Sequence, residues 1–174
     1  NPRAYFLKSL QAKLLNPQSR SRAFKGGGAS HYDLGNDFFR SMLDEEMLYT
    51  CGYWKRAETL DEAQKAKMDL VCRKLSLAPG MRILDIGCGW GGFLRHAARN
   101  YGVTGVGITV SREQAKLARE RCQGLDLEIR LQDYRCLGGS FDRIVSLGMF
   151  EHVGRKNYRS YVQSVSKCMK PDGL

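Results

Sequence analysis

The segment Ile83-Leu84-Asp85-Ile86-Gly87-Cys88-Gly89-Trp90-Gly91-Gly92 sets glycines at alternate positions directly after an apolar run. Glycine at 87, 89 and 91 permits a tight turn and lets bare backbone approach a ligand, and a helix starting after it offers the positive end of its dipole. A plain strand-to-helix turn has the same composition. Gly87, Gly89 and Gly92 also satisfy the dinucleotide pattern G-x-G-x-x-G. A dinucleotide site wants an acidic residue about 20 positions further on to hold the ribose. Here the next apolar run ends in Gly107-Ile108-Thr109, with no acid before Glu113. Asp85, two residues before the first glycine, is placed to accept hydrogen bonds from the loop and to attract a cationic ligand. A sulfonium cofactor, S-adenosylmethionine, therefore fits this segment better than NAD does.

Four short apolar runs have to carry this loop: Met81 to Ile86, Val103 to Ile108, Leu125 to Leu131 and Phe141 to Leu147. Helical segments from Gly92 to Asn100 and from Ser111 to Cys122 separate the first three. Thr59 with Glu62 three residues on reads as a capping box opening a helix through Leu75, which Pro79-Gly80 stops. A last helix is expected from about Arg155 to Met169. Strands and helices alternating at these lengths call for right-handed β-α-β units and a doubly wound parallel sheet covered on both faces. Pro171-Asp172-Gly173-Leu174 is the sort of turn that feeds a fifth strand. A sheet ended after four strands would leave an open apolar edge, so the chain is expected to be part of a longer polypeptide, truncated after its fourth strand.

At about 150 residues per domain, 174 residues make roughly one domain. No run approaches the ~18 apolar residues of a bilayer span, and no secretory signal is visible after Asn1. Net charge is +10, and six of the basic residues (Arg3, Lys8, Lys13, Arg20, Arg22, Lys25) stand in residues 1–30 with no acid among them. Phe6, Leu7, Leu10 and Leu14 fall at helical spacing there, so this arm reads as a short basic amphipathic helix and a Ser/Arg/Gly linker. The domain boundary is placed near His31. Such an arm implies an anionic partner, either a membrane surface or nucleic acid. With Tyr5, Phe6 and Phe24 as its few aromatics, and no nucleic-acid motif in the chain, a nucleic-acid module is not expected. Six dispersed cysteines without a C-x-x-C pair read as reduced thiols of a cytoplasmic protein, with no metal site.

Beyond the glycine loop, the chain resembles the cyclopropane fatty acid synthases and the related mycolic acid cyclopropane synthases. The matching segments, in family order, are His31 to Phe39 (HYDLGNDFF), Tyr49 to Trp54 (YTCGYW), the glycine loop, Gly107 to Ser111 (GITVS) leading to Gln114, Leu131 to Arg135 (LQDYR), and Gly148 to Gly154 (GMFEHVG). Thr50 and Gly52 depart from the commonest family pattern, where Ser and Ala are usual, and the threonine keeps the hydroxyl. The resemblance implies a Rossmann-like class I S-adenosylmethionine-dependent methyltransferase fold, with lid helices over about 31–80 and a core over about 81–174. The stretch before His31 resembles the end of a linker from an extra N-terminal domain.

The reaction so implied is methyl transfer from S-adenosylmethionine to the cis double bond of a phospholipid acyl chain, then proton removal so that a cyclopropane ring closes. It would take place at the membrane surface, with the protein peripherally associated. The oligomeric state is left open, a homodimer being one expectation for the full-length protein. Aromatic faces stabilise a carbocation; the candidates are Tyr32, Phe38, Phe39, Tyr53, Trp54 and Phe150, with Tyr32 and Tyr53 favoured. The base resembles a bound bicarbonate held by Cys51, through the adjacent backbone, and by Glu151, with a further His and Tyr beyond Leu174. For the cofactor, the resemblance assigns Tyr49 and Thr50 from the lid. It adds Ile83, Leu84, Asp85, Gly87, Cys88, Gly89, Trp90 and Gly91 at the methionine and ribose, Thr109 and Gln114 at the ribose hydroxyls, and Gln132 and Asp133 at the adenine. Without the resemblance, Glu151 reads as an ordinary helix-terminal carboxylate and Cys51 as a small hydrophobe. A methyltransferase of the same fold acting on a soluble small molecule is the other reading, because the loop reports the cofactor and not the acceptor.

Overall fold

The computed structural model describes residues 35–174. The basic arm, the boundary near His31 and Tyr32 lie outside the described residues. Helices α1 (Asn36–Met42) and α2 (Leu60–Lys74) come before the sheet. The capping box of α2 forms as expected: the Glu62 amide donates to Thr59 Oγ1 at 3.3 Å, and the Thr59 amide donates to Glu62 Oε2 at 3.2 Å. Then follow β1 (Arg82–Ile86), α3 (Gly92–Tyr101), β2 (Thr104–Thr109), α4 (Arg112–Arg121), β3 (Leu127–Leu131) and β4 (Arg143–Val145). Ser111 caps α4 by accepting from the Gln114 amide. Gly102 ends α3 in a left-handed conformation that a side chain would strain.

Among the described residues the four strands form one parallel sheet in the order β3-β2-β1-β4. Asp85 pairs with Gly107 of β2 on one side and Val145 of β4 on the other. Alternation along β1 sends Ile83 into an apolar cluster with Met68 and Cys72 of α2, Leu94 of α3 and Ala118 of α4. Leu84 and Ile86 enter a second cluster on the opposite face, with Phe141, Tyr161 and Cys168. Both faces of the sheet are thus covered, which is what near-continuous apolar strands require. All six cysteines are free thiols.

Three local features differ from the sequence expectation. Residues after β4 form a one-turn helix α5 (Phe150–Val153) that the apolar pattern does not predict, and Glu151 lies in it. Gly148 (φ +68°) and Gly154 (φ +76°) bracket that turn and confine it. The expected helix from Arg155 begins as a 3₁₀ turn over Arg155–Asn157, and the α-helix proper, α6, spans Tyr158–Cys168. The outer edge of β4 is also not left bare. The Ile144 amide donates to the Leu174 carbonyl at 2.8 Å and the Leu174 amide donates to the Asp142 carbonyl at 3.3 Å. Leu174 therefore pairs alongside β4 at its outer edge.

Gly107 is closely wrapped. A Cβ there would stand 2.6 Å from Leu94 Cδ1, 2.8 Å from Cys88 Sγ and 2.9 Å from Cys88 Cβ. Gly107→Ala should accordingly lower stability by about 1–3 kcal/mol through overpacking, seen as a lower urea midpoint with an unchanged slope.

Candidate active site

The strand order runs from β1 outward through β2 and β3 on one side and to β4 on the other, so it reverses between β1 and β4. In open α/β sheets the crevice beyond the strand ends at such a reversal is where ligands bind. The glycine loop leaves β1 into this crevice with Gly87, Gly89 and Gly91 at φ of +87°, +55° and +82°. Its first two amides, of Gly87 and Cys88, donate to the Ile108 carbonyl at 2.9 and 3.0 Å. That pair of bonds turns the chain and locks it to β2. A Cβ on Gly89 would meet no atom within 4 Å, so the backbone there faces open space.

Asp85 lies beneath this loop, 2% exposed. Its carboxylate accepts no hydrogen bond from any described residue, contrary to the expectation that the loop amides would donate to it; those amides are engaged by Ile108. Burial alone pushes its carboxyl up to about 7. A buried carboxylate with no donor is suited to a cation brought in by a ligand.

At the end of β2, Thr109 Oγ1 donates to Gln114 Oε1 at 2.7 Å, and both residues are buried. The Gln114 amide nitrogen has no partner among the described residues and remains a donor. After β3, Asp133 caps the 3₁₀ turn Tyr134–Cys136, accepting from the Arg135 amide at 2.8 Å and pairing with the Arg135 guanidinium at 2.9 Å. Gln132 donates to the Cys136 carbonyl at 2.8 Å. An adenine amino group would share Asp133 with Arg135.

Several residues assigned to the cofactor have side chains elsewhere. Ile83 and Leu84 sit mid-strand in the two opposite apolar clusters, away from the loop end of β1. The Cys88 thiol is turned into the core, where burial holds it protonated. Trp90 is buried against Phe39 at 4.8 Å between ring centroids and donates to Asn36 Oδ1 at 2.7 Å. Cys88 and Trp90 can thus offer a ligand only their backbone. Phe39, a candidate aromatic face, is 1% exposed and serves the same packing. Phe38, Tyr53, Trp54 and Phe150 remain exposed, and Phe150 stacks on Tyr158.

The segment from Leu43 to Tyr53 lies over the core and brings Thr50 and Cys51 to the crevice. A side chain at Gly148, just after β4, would collide with Thr50 Cγ2 and stand 3.9 Å from Glu151 Oε1. Glu151 is exposed and has no hydrogen-bond or ion-pair partner among the described residues, and Cys51, which follows Thr50 in the chain, is exposed as well. Sequence reasoning missed what holds this segment. Gln64 Nε2 donates to the carbonyls of Leu48 and Thr50 at 3.0 and 2.8 Å, and Lys67 Nζ donates to Thr50 Oγ1 at 2.6 Å. Glu46 is gripped by Arg95 of α3 at 3.3 Å and Arg121 of α4 at 2.9 Å. The signal available was the spacing of Gln64 and Lys67, one helical turn apart on the face of α2 that carries Ala63 and Met68.

A family model described as mycolic acid cyclopropane synthetase matches residues 18–174. The chain belongs to that family. It is 56% identical over 168 residues to the cyclopropane-fatty-acyl-phospholipid synthase of Escherichia coli K12, a match covering 97% of this chain and 44% of the relative. Cyclopropane mycolic acid synthase 3 of Mycobacterium tuberculosis is 41% identical over 153 residues, covering 85% of this chain and 53% of that protein. Among solved structures, mycolic acid cyclopropane synthase CmaA1 complexed with SAH and CTAB superposes with a TM-score of 0.80 at 39% identity, over 83% of this chain and 53% of that one. The chain therefore has the Rossmann-like fold of this methyltransferase family and spans about half the length of the relatives it matches.

The Asp85 carboxyl titrates near 7 in the folded state and near 3.8 unfolded. The folded form holds the proton more tightly, so stability is fully present below the unfolded value and is lost as pH rises through about 7. Asp85→Asn removes that loss. Without ligand, the variant should be more stable than the parent by about 4 kcal/mol at pH 8 and by less than half of that at pH 5, as read from urea unfolding at the two pH values.

Proposed function

We propose that the protein carrying this chain forms a cyclopropane ring by transferring a methylene group from S-adenosylmethionine to the cis double bond of a phospholipid acyl chain. The observation that carries the reading is a convergence at the β1/β4 crevice. A buried carboxylate and a bare glycine loop meet there with the Thr50–Cys51 segment and with Glu151, neither carboxylate having a donor among the described residues. The names of the relatives and the complex of CmaA1 with SAH support the same cofactor and acceptor class.

The residues present fit S-adenosylmethionine. Asp85 is orphaned and buried where a ligand ammonium would neutralise it, the Cβ position of Gly89 faces open space, and Gln114 keeps a free amide donor. The cofactor, when bound, supplies an electrophilic methyl group on a cationic sulfur. Gly87 to Gly91 would hold its methionine part by backbone, Thr109 and Gln114 its ribose, Gln132 and Asp133 its adenine, and Tyr49 and Thr50 would close over it. An alkene is a weak nucleophile, so holding it in line with the methyl group is the main work left to the protein. An apolar groove of about 380 Å³, lined by Met42, Leu43, Leu48, Tyr49, Trp54 and Leu60 with Thr50 and Cys51 along it, suits an acyl chain. Tyr53 and the exposed aromatic rings nearby would face the cation that forms on the chain, with Tyr32 joining them.

Proton removal falls to the Cys51–Glu151 side. Bicarbonate supplies the proton acceptor in this reading. Glu151 has a free carboxylate to accept its hydroxyl, and Lys67 stands beside Cys51 as a cation. No helix among the described residues is long and apolar enough to cross a membrane. The basic arm, residues 1–30, would meet the anionic surface peripherally instead, with residues 31–80 as a lid on the core that follows.

Two substitutions in the full-length protein test these roles. Gly89→Val places a side chain where the cofactor lies and should weaken S-adenosylmethionine binding by at least about tenfold in calorimetric titration; unchanged affinity would remove the loop from the site. Glu151→Gln keeps shape and removes charge, so turnover on unsaturated phospholipid vesicles should drop by orders of magnitude while cofactor affinity stays near that of the parent. Near-normal turnover would return Glu151 to an ordinary helix-turn carboxylate.

A further inference from the structure

We propose that Lys67 is a positioning residue for the deprotonation half of this reaction. Its ammonium fixes the Thr50–Cys51 segment through the Thr50 hydroxyl and lends positive charge to the small oxyanion held between Cys51 and Glu151. The inference rests on the reading above and adds to it a residue that neither the glycine loop nor the family motifs contain.

Four observations support it. Lys67 Nζ donates to Thr50 Oγ1 at 2.6 Å, the shortest of the bonds by which α2 holds this segment. Thr50 packs its methyl group against Gly148, so the position of Lys67 is passed on to the strand-end glycine from which α5 and Glu151 follow. The two groups facing the ammonium electrostatically are Asp44 and Cys51. Asp44 is already committed, accepting the amides of Glu46 and Leu48 at 3.0 and 2.7 Å, so the lysine charge is not used up in a direct ion pair. One turn earlier on α2, Gln64 is 2% exposed with its Oε1 buried and unpartnered, while its amide nitrogen holds the Leu48 and Thr50 carbonyls. The lysine sits in a partly desolvated position that lowers its titration to about 8, against the opposing pull of Asp44 and Cys51. An ammonium so placed loses its charge in an accessible pH range, and both the grip on Thr50 and the attraction for an anion go with it.

The test uses the full-length protein, unsaturated phospholipid vesicles, S-adenosylmethionine and a bicarbonate titration, with Lys67→Met and Lys67→Arg beside the parent. For the parent, turnover should fall as pH rises through about 8. Lys67→Met should lower turnover about tenfold or more and raise the bicarbonate concentration for half-saturation, with cofactor affinity within about twofold of the parent. Lys67→Arg, charged at every pH used, should restore part of that turnover and carry its alkaline limb upward by more than one pH unit. An alkaline limb unchanged in Lys67→Arg would assign it to a group other than this lysine and overturn the inference. So would a Lys67→Met protein with parental turnover and bicarbonate dependence. If Lys67→Met fails to fold, the shift in Lys67→Arg decides alone. An inactive parent would overturn the proposed function and this inference together, whereas an active parent with indifferent variants would overturn the inference only.

Discussion

Glu46 held between two guanidiniums is the contact on which the geometry of the crevice depends. Its carboxylate meets Arg95 and Arg121, which come from different helices, α3 and α4, and the Arg121 guanidinium also takes the carbonyls of Glu45 and Glu46. The Glu46 carbonyl lies directly on Gly92, where a β-carbon would have no room. The segment that delivers Thr50 and Cys51 is therefore pinned at its root to the first turn of the helix that follows the glycine loop. All three charged side chains are largely out of solvent, so removing one partner would leave the others poorly compensated. The arrangement works as a set or not at all.

That anchoring explains why a carboxylate as costly as Asp85 is tolerated. The amides that would have satisfied it are used to bind the loop to Ile108, so the loop gains rigidity while the carboxyl is left protonated near neutrality. In a mobile loop the amides would swing to the carboxylate and the cradle would close on itself. With β2 holding the amides, with Gly107 letting Cys88 and Leu94 pack flat against that strand, and with Gly89 exposing bare backbone, the carboxyl is kept without a protein donor, ready to give up its proton when a ligand cation arrives. Local instability at Asp85 and rigidity around it are two parts of one arrangement.

Much of this was legible in the residues. Short apolar runs, the Thr59/Glu62 box, Ser111 before α4 and the Gly-rich exit of β1 each carry a local physical signal, and these elements formed within a residue or two of expectation. The position of Asp85 was legible but not its bonding, because the competitor for the loop amides is a carbonyl 23 residues later on a neighbouring strand. Trp90 and Phe39 stand among cofactor and aromatic motifs, and nothing in a linear motif separates a ring that faces a ligand from one that welds the lid to the core. Glu46, Gln64 and Lys67 were silent for a different reason. A charged residue in a mixed-charge stretch looks like solvated surface until its partner, up to 75 positions away for Glu46 and Arg121, is known.

The two halves of the site are held by different kinds of force, and this bears on how they would work together. The cofactor half is set by sheet pairing and close packing, with the Asp85 carboxyl beneath the loop titrating near neutrality. The acceptor half, from Asp44 to Cys51, is held mainly by hydrogen bonds and charges: Glu46 with its arginines, Asp44 with two amides, Gln64 with two carbonyls, Lys67 with Thr50. Apolar contacts add Met47 and Phe39 against Trp90 and Leu117. Asp44, Gln64 and the Glu46 set are largely out of solvent, so breaking any of these bonds would leave a poorly compensated partner. The segment over the crevice is thus held by contacts that depend on charge and hydrogen bonding, while the sheet beneath it is held by packing. Its ends are fixed by polar anchors: Glu46 at the root, and Tyr53, whose amide donates to the Ala63 carbonyl, at the far side. Between them Thr50 and Cys51 are carried as one unit. A single lysine contact at the middle of that unit therefore governs more of the site's geometry than its place on an outer helix would suggest.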